Sequence, residues 1–398
     1  LTGGQGIGLR TLISRRRTTA FRIAIVVVVL TPVLVGEPGP RPVIYEEALP
    51  ASTSQPLLIK HGWDVPTPQF VRDHLSAMQG MPFDGMTVSV PGLGNRVQRQ
   101  ASVSLKRFRA ALAPLRGLSL GSLAHSFAVV YATPAGDYFG DYTVPVENFA
   151  RLAQAVREAG LAGIVYDNEE YFGPLSNYPQ NCRGHSLDAC RDQVLRRGQQ
   201  VMDGMRARFP GIQVMALLGP WISDPRTETV LGQVLPYRDV ASRHELMGSF
   251  IVGMVASAAG TSAKVIDGGE IYTARTVGQF AAIRSWARSG VASPSGIVPA
   301  GLRARWPGSV SVAFGVYDRQ WMGAGMDVVS WGVTLRNALA TTDEYVWAYT
   351  ERYDWWGTGW PPARIPADWV AATRSARQSE TRSVTPTRSV GPRLVPLP

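Results

Sequence analysis

Cysteine, lysine and charge are all scarce in this chain. Of its 398 residues only two are cysteine and three are lysine (Lys60, Lys106 and Lys264), and charged residues make up 18%. Zinc and iron–sulfur sites need cysteine or histidine ligands paired at short spacing, and the sequence offers none. Its five histidines are scattered, without a His-Glu-x-x-His or His-x-His pair, which argues against a hydrolytic metal centre. No Gly-x-Gly-x-x-Gly lies between a strand and a helix, so a dinucleotide fingerprint is missing; Gly3-Gly-Gln-Gly-Ile-Gly8 falls in a leader-like segment. A Gly-x-Ser-x-Gly turn for a serine hydrolase is read as absent. No cofactor and no bound metal are therefore expected.

Acidic residues are missing from the two ends, and this accounts for most of the net charge of +10. Arg10, Arg15, Arg16, Arg17 and Arg22 precede the first acid, Glu37, and residues 374–398 hold five arginines against Glu380 alone. The middle of the chain is close to neutral and carries no basic stripe with interleaved aromatics, so nucleic acid is not an expected partner. Long apolar runs are missing as well. Ile23–Val35 gives thirteen residues, short of the roughly twenty that span a bilayer. Preceded by arginines, that run fits a secretory signal or a retained membrane anchor over 1–36. Either reading places the protein outside the cell or in its envelope, with membrane association through this segment in the anchor case.

A hydrophobic content of 45% is that of a folded domain with a sizeable core. After a Pro-rich linker (37–56), residues 57–377 divide into eight strand-helix units, and a Ser/Thr/Pro/Arg tail (378–398) reads as disordered. The strands are expected at Leu57–Asp64, Phe83–Val90, Ser126–Tyr131, a run from Gly163, Gln213–Leu218, Lys264–Asp267, Val310–Phe314 and Glu344–Glu351. The helices are expected at Pro68–Met78, Leu105–Leu115, Val146–Ala159, Asp188–Phe209, Leu246–Ala258, Val277–Ser289, around Trp331–Ala340, and Ala367–Arg377. Eight such units without sequence repeats predict an α/β fold, a (β/α)₈ TIM barrel with long βα loops. A doubly wound open sheet is the structural rival.

The clearest functional stretch is Gly163-Ile-Val-Tyr-Asp-Asn-Glu-Glu-Tyr171, an apolar strand that ends in three carboxylates. Buried carboxylates are costly inside a sheet, so acids at a strand tip belong to a mouth. Similar tips follow the sixth strand, at Asp267-Gly-Gly-Glu270, and the eighth, at Glu351. Asp167 and Glu169 are two apart and share a face if the strand persists, while Glu170 faces the other way.

Five short motifs carry a resemblance: Gly62-Trp-Asp-Val-Pro66, Pro82-Phe-Asp-Gly85, Asp167-Asn-Glu-Glu-Tyr171, Asp267-Gly-Gly-Glu270 and Tyr345-Val-Trp347. In that order, over residues 58–356, the chain resembles secreted bacterial proteins with a glycoside-hydrolase-like TIM barrel, most of them functionally uncharacterised. The resemblance implies a barrel and carbohydrate chemistry, but no particular sugar. Glycosidic cleavage uses one carboxyl group to protonate the leaving oxygen and a second to attack or to activate water.

Glu169, Glu270 and Glu351 are the catalytic candidates. Glu169 is expected as general acid/base and Glu270 as nucleophile or base, with the roles exchangeable and Glu351 in reserve. Trp63, Trp221, Trp355 and Trp356 fall just past strand ends, with Tyr171 and Tyr272 beside the acids, and are candidate substrate contacts, because aromatic faces suit the apolar faces of sugars; core packing is the alternative for each. Asp64 and Asp167 are candidate hydrogen-bond supports for sugar hydroxyls, with structural loop roles as the alternative. Asp318 is a weaker candidate of the same kind. His61 is either a sugar contact or a packed histidine, and Trp347 is assigned to the barrel interior. Cys182 and Cys190, eight apart in a loop, read as a disulfide, with two free thiols as the alternative. The expected function is an exported glycoside hydrolase with a carbohydrate substrate; a non-catalytic carbohydrate-binding barrel is the alternative.

Overall fold

The computed structural model describes residues 55–382 apart from 233, 236–239 and 320–325. The segment read as signal or anchor (1–36), the linker up to residue 54 and residues 383–398 lie outside the described residues.

Nine strands form one all-parallel sheet: β1 (Leu57–Gly62), β2 (Gly85–Ser89), β3 (Phe127–Tyr131), β4 (Gly163–Asp167), β5 (Gln213–Ala216), β6 (Lys264–Asp267), β7 (Val310–Val312), β8 (Phe314–Tyr317) and β9 (Tyr345–Thr350). Their order is β7-β6-β5-β4-β3-β2-β1-β9-β8. β7 and β8 are two halves of one stave, the expected seventh strand, interrupted at Ala313. The first half pairs with β6 and the second with β9. The bend at Ala313 thus joins the two ends of the sheet, and eight staves close the barrel. The doubly wound alternative is excluded.

Each stave is followed by a helix, as the 3.6-residue spacing of apolar positions predicts. The helices begin where a side chain can satisfy an orphan backbone N–H. Thr67 caps Pro68–Gln79, Ser186 caps Leu187–Arg208, and Thr276 with Gln279 forms a reciprocal capping box on Val277–Ser285. The thirteen-residue apolar run after β5 is a helix, Met247–Ala258, as its length predicts. Two ends differ from expectation. The helix after β6 loosens into a π-turn at Trp286–Gly290, and the closing helix runs on to Arg382, into residues read as tail.

Side chains alternate across each strand, and the two faces build two cores. Leu58, Val88, Val130, Ile164, Val214 and Val346 pack outward against the helices. Ile59, Phe127, Val129, Val165, Met215, Ile266, Tyr345 and Trp347 fill the barrel. Trp347 crosses the interior, donating its indole N–H to the Gly268 carbonyl at 2.7 Å. Gly315 makes room for it, since a Cβ there would lie 2.5 Å from the ring. The lower barrel is therefore filled, and any site must lie above Trp347, at the C-terminal rim.

Candidate active site

Strand phase delivers the acids to that rim. On β9 the inward residues are Tyr345, Trp347 and Tyr349, so Glu351 is the next in phase. On β4 Val165 points inward and Asp167 follows it, level with Tyr131 of β3 in the ladder. Gly268 and Gly269 carry the chain over the end of β6 to Glu270, whose N–H donates to the Leu217 carbonyl.

The carboxylates sense one another. Burial and the Glu351 charge push the Glu169 carboxyl up from 4.5 to about 7. Glu270 is 2% exposed, and burial with the charges of Glu169 and Asp167 holds it well above the usual carboxylate range. Burial and Glu169 raise Asp167 in the same way. The acids beyond β4, β6 and β9 thus act on one another across the C-terminal rim. Beneath them lies an aromatic floor: Tyr272 packs against Tyr317 at 4.9 Å, and against Tyr349 and Trp347 at 5.7 Å each.

Each glutamate has a distinct setting. Glu169 accepts a hydrogen bond from the Tyr171 hydroxyl, and that tyrosine is 59% exposed, so the group is reachable from solvent. Glu170 is committed to its own loop, accepting from the backbone N–H groups of Leu175 and Ser176. Glu270 hydrogen-bonds Tyr272, while its Oε2 has no partner among the described residues. Enclosure of this kind disfavours the charged form of the carboxyl. Glu351 is half-buried; its Oε2 accepts the Tyr317 hydroxyl at 2.6 Å and has the Arg319 guanidinium at 3.7 Å. A donor and a cation facing one oxygen make a setting for a carboxylate anion.

Several expected contacts lie elsewhere. Trp221 is buried between barrel and helices and donates to Asp267 at 3.1 Å. Trp355 and Trp356 pack edge-on against Phe83 at 5.0 and 5.5 Å in the outer core. None of the three presents a face to a sugar, because the chain beyond each strand end folds back over the helices. Asp64 is also buried: it pairs with Lys60 and accepts the Trp355 N–H at 2.8 Å. Asp318 accepts the backbone N–H groups of Glu351 and Arg352 at 3.1 and 2.9 Å, so it positions Glu351 from behind. His61 is the packed histidine, bonded through Nδ1 to Thr87 at 2.8 Å and pushed down to about 3 by burial. Of the tryptophans expected at the mouth, only Trp63 is exposed.

The expected disulfide is absent. Cys182 and Cys190 are buried free thiols, with the Cys190 Sγ 3.9 Å from the Cys182 carbonyl oxygen. Closeness along a loop did not imply a bond. Gly117-Leu-Ser-Leu-Gly121 matches the serine-hydrolase pattern, but it leads from a helix into β3, at the opposite rim from the acids. Tyr317, Tyr349, Arg319 and Trp360 were missed by the sequence reading. The alternation Tyr345-Trp347-Tyr349-Glu351 could have indicated Tyr349, whereas nothing local marked the others.

No family model and no curated protein matches the chain. Solved structures do. An exo-β-1,4-mannosidase from Opitutaceae bacterium strain TAV5 is 13% identical with a TM-score of 0.42, over 83% of this chain and 61% of that one. A glycoside hydrolase family 5 enzyme from Prevotella bryantii B14 is 12% identical with a TM-score of 0.41, over 77% and 86%. A 3-keto-D-glucoside 4-epimerase from E. coli is 16% identical with a TM-score of 0.35, over 82% and 98%. The chain spans about three fifths of the mannosidase's length. Barrels of such different chemistry resemble one another, so the function is argued from the site's own residues.

Proposed function

We propose that this protein is a glycosidase in which Glu169 is the general acid/base and Glu351 the ionised partner that attacks the anomeric carbon or activates water. The reading is carried by the settings of the two carboxyls: Glu169, bonded to Tyr171 beyond β4, is pushed up to about 7 by burial and the Glu351 charge, while Glu351 beyond β9 has Tyr317 and Arg319 at its Oε2. A proton donor is most effective when it is half-protonated at the working pH, and the second carboxylate must stay charged to stabilise the developing oxocarbenium ion. Glu351, with Tyr317 and Arg319 at its Oε2, suits that charged role better than the enclosed Glu270. Glu270, whose charged form is disfavoured by burial, then serves in the wall of the mouth, and Asp167 as a second buried acid beside Glu169. Export or attachment to the envelope belongs to the same reading, and rests on the arginine-rich and apolar stretch before residue 36.

The test is turnover of a broad panel of poly- and oligosaccharides by the unmutated protein and by Glu169→Gln, Glu351→Gln and Glu270→Gln. Glu169→Gln and Glu351→Gln should each lower kcat/KM by at least about 10³-fold, within the range for loss of a group that acts in the transition state. Glu270→Gln should cost about tenfold, since an amide can still donate a hydrogen bond. Loss of activity in Glu270→Gln alone would return the second role to Glu270. Binding without turnover by the unmutated protein would favour a carbohydrate-binding barrel.

A further inference from the structure

Among the described residues, the exposed large apolar side chains are four valines and four aromatics. The valines lie on helices: Val230, Val277, Val329 and Val333. The aromatics, Trp63, Tyr171, Phe172 and Trp360, all lie on loops at the C-terminal rim, beyond β1, β4 and β9. They stand at two ends of the mouth, because β9, with β1 next to it, lies opposite β4 in a ring of eight staves.

At one end Trp63 and Trp360 are parallel, with an interplanar angle of 9° and centroids 6.0 Å apart, and are 46% and 56% exposed. Both are held from below. Trp63 follows the left-handed Gly62 and donates its N–H to the Thr350 carbonyl at 2.9 Å, directly before Glu351. The Trp360 loop is gathered by the buried Asp354, which accepts the N–H groups of Gly357, Thr358 and Gly359 at 2.7, 3.1 and 2.8 Å. The Thr358 hydroxyl then fixes the Trp360 carbonyl at 3.0 Å. At the other end Phe172 meets Tyr131 edge-on at 6.2 Å, and Tyr131 is level with Asp167. Phe172, with Pro134, Pro174, Gln180, Asn181 and Arg183, lines a cleft of about 740 Å³.

We propose that the mouth binds the interior of a neutral polysaccharide chain, which runs from the Phe172 cleft over the carboxylates to a Trp63–Trp360 platform, so that cleavage is endo. Apolar sugar faces match exposed indoles that stack on each other and stand on loops with a fixed backbone. Binding surface on both flanks of the acids serves a chain passing through the site, whereas removal of a terminal sugar needs such surface on one flank only. Carboxylates at the centre disfavour a polyanion. The position of the cut rests on the glycosidase reading above; the binding does not.

The test uses Glu169→Gln, which cannot cleave, in affinity electrophoresis through xylan, glucomannan, mixed-linkage β-glucan, dextran and polygalacturonate. The same gels carry the triple variant with Trp63→Ala and Trp360→Ala added. At least one neutral polymer should retard Glu169→Gln, and the two tryptophan changes should weaken that retention about tenfold or more, with unchanged melting temperature. Calorimetry on a fraction of known chain length should count more than two proteins per chain, which binding to chain ends cannot give. Equal retention with and without the tryptophans, retention by polygalacturonate alone, retention by none of the polymers, or one protein per chain would each overturn the proposal. If only the catalytic reading fails, the unmutated protein binds the polymer with the same tryptophan dependence and leaves it intact.

Discussion

Glu169→Gln should make the protein more stable at pH 8 than the unmutated chain while removing its activity. The folded-state value of the Glu169 carboxyl, about 7, stands above its ordinary 4.5. Between those values the folded chain binds more protons than the unfolded one, so the stability present below pH 4.5 is lost as pH rises towards 7. A tenfold ratio is worth about 1.4 kcal/mol, so the interval corresponds to about 3 kcal/mol. Glutamine carries no charge at any pH and escapes this loss. Removing the Glu169 charge also relieves Glu270 and Asp167, which it pushes up, and this adds to the difference with the same sign. The assay is urea unfolding of both proteins from pH 4.5 to 8, compared as the difference in extrapolated stability. That difference should be smallest near pH 4.5 and grow by about 3 kcal/mol in favour of Glu169→Gln by pH 8. A difference independent of pH, or a variant that is less stable throughout, would refute the claim that Glu169 is held in a costly, charge-crowded site.

Three further outcomes follow from the packing. Trp355→Ala should destabilise by about 3–5 kcal/mol, because it empties a core site, and calorimetry should show this as a lowered Tm. Gly315→Ala should cost about 1–3 kcal/mol by pressing a methyl into Trp347, and tryptophan fluorescence should report the shifted indole. Thiol titration in denaturant without reductant should find two free cysteines per chain, Cys182 and Cys190; a result of zero would show that the pair is oxidised.

The barrel was legible because its signals are periodic and repeated. Helical apolar spacing and short apolar runs recur eight times, and each unit supports its neighbours. The broken seventh stave was not legible, since nothing within Val310–Phe314 shows that its two halves pair with different neighbours. At the site, Glu169, Glu270 and Glu351 could be read from the rule that strand ends converge on one rim. Which tryptophans face outward could not. Trp63 and Trp355 both follow strand ends, yet one stands at the mouth and the other is buried, on backbone whose N–H is held by Asp64. That choice depends on a contact 291 residues apart in sequence. The surroundings of the other acids were hidden for the same reason, because burial of Glu270 and the Tyr317–Glu351 bond exist only in the closed barrel.

The most direct measurement compares leaving groups. Once a cleaved sugar is known, Glu169→Gln is assayed on its dinitrophenyl glycoside and on its natural oligosaccharide. A dinitrophenolate departs without a proton, whereas a sugar alkoxide must be protonated as it leaves. If Glu169 is the acid, the variant should lose at least about 10³-fold on the oligosaccharide and far less in the bond-breaking step of the dinitrophenyl glycoside. Equal losses on both substrates, or no loss on either, would contradict the assignment.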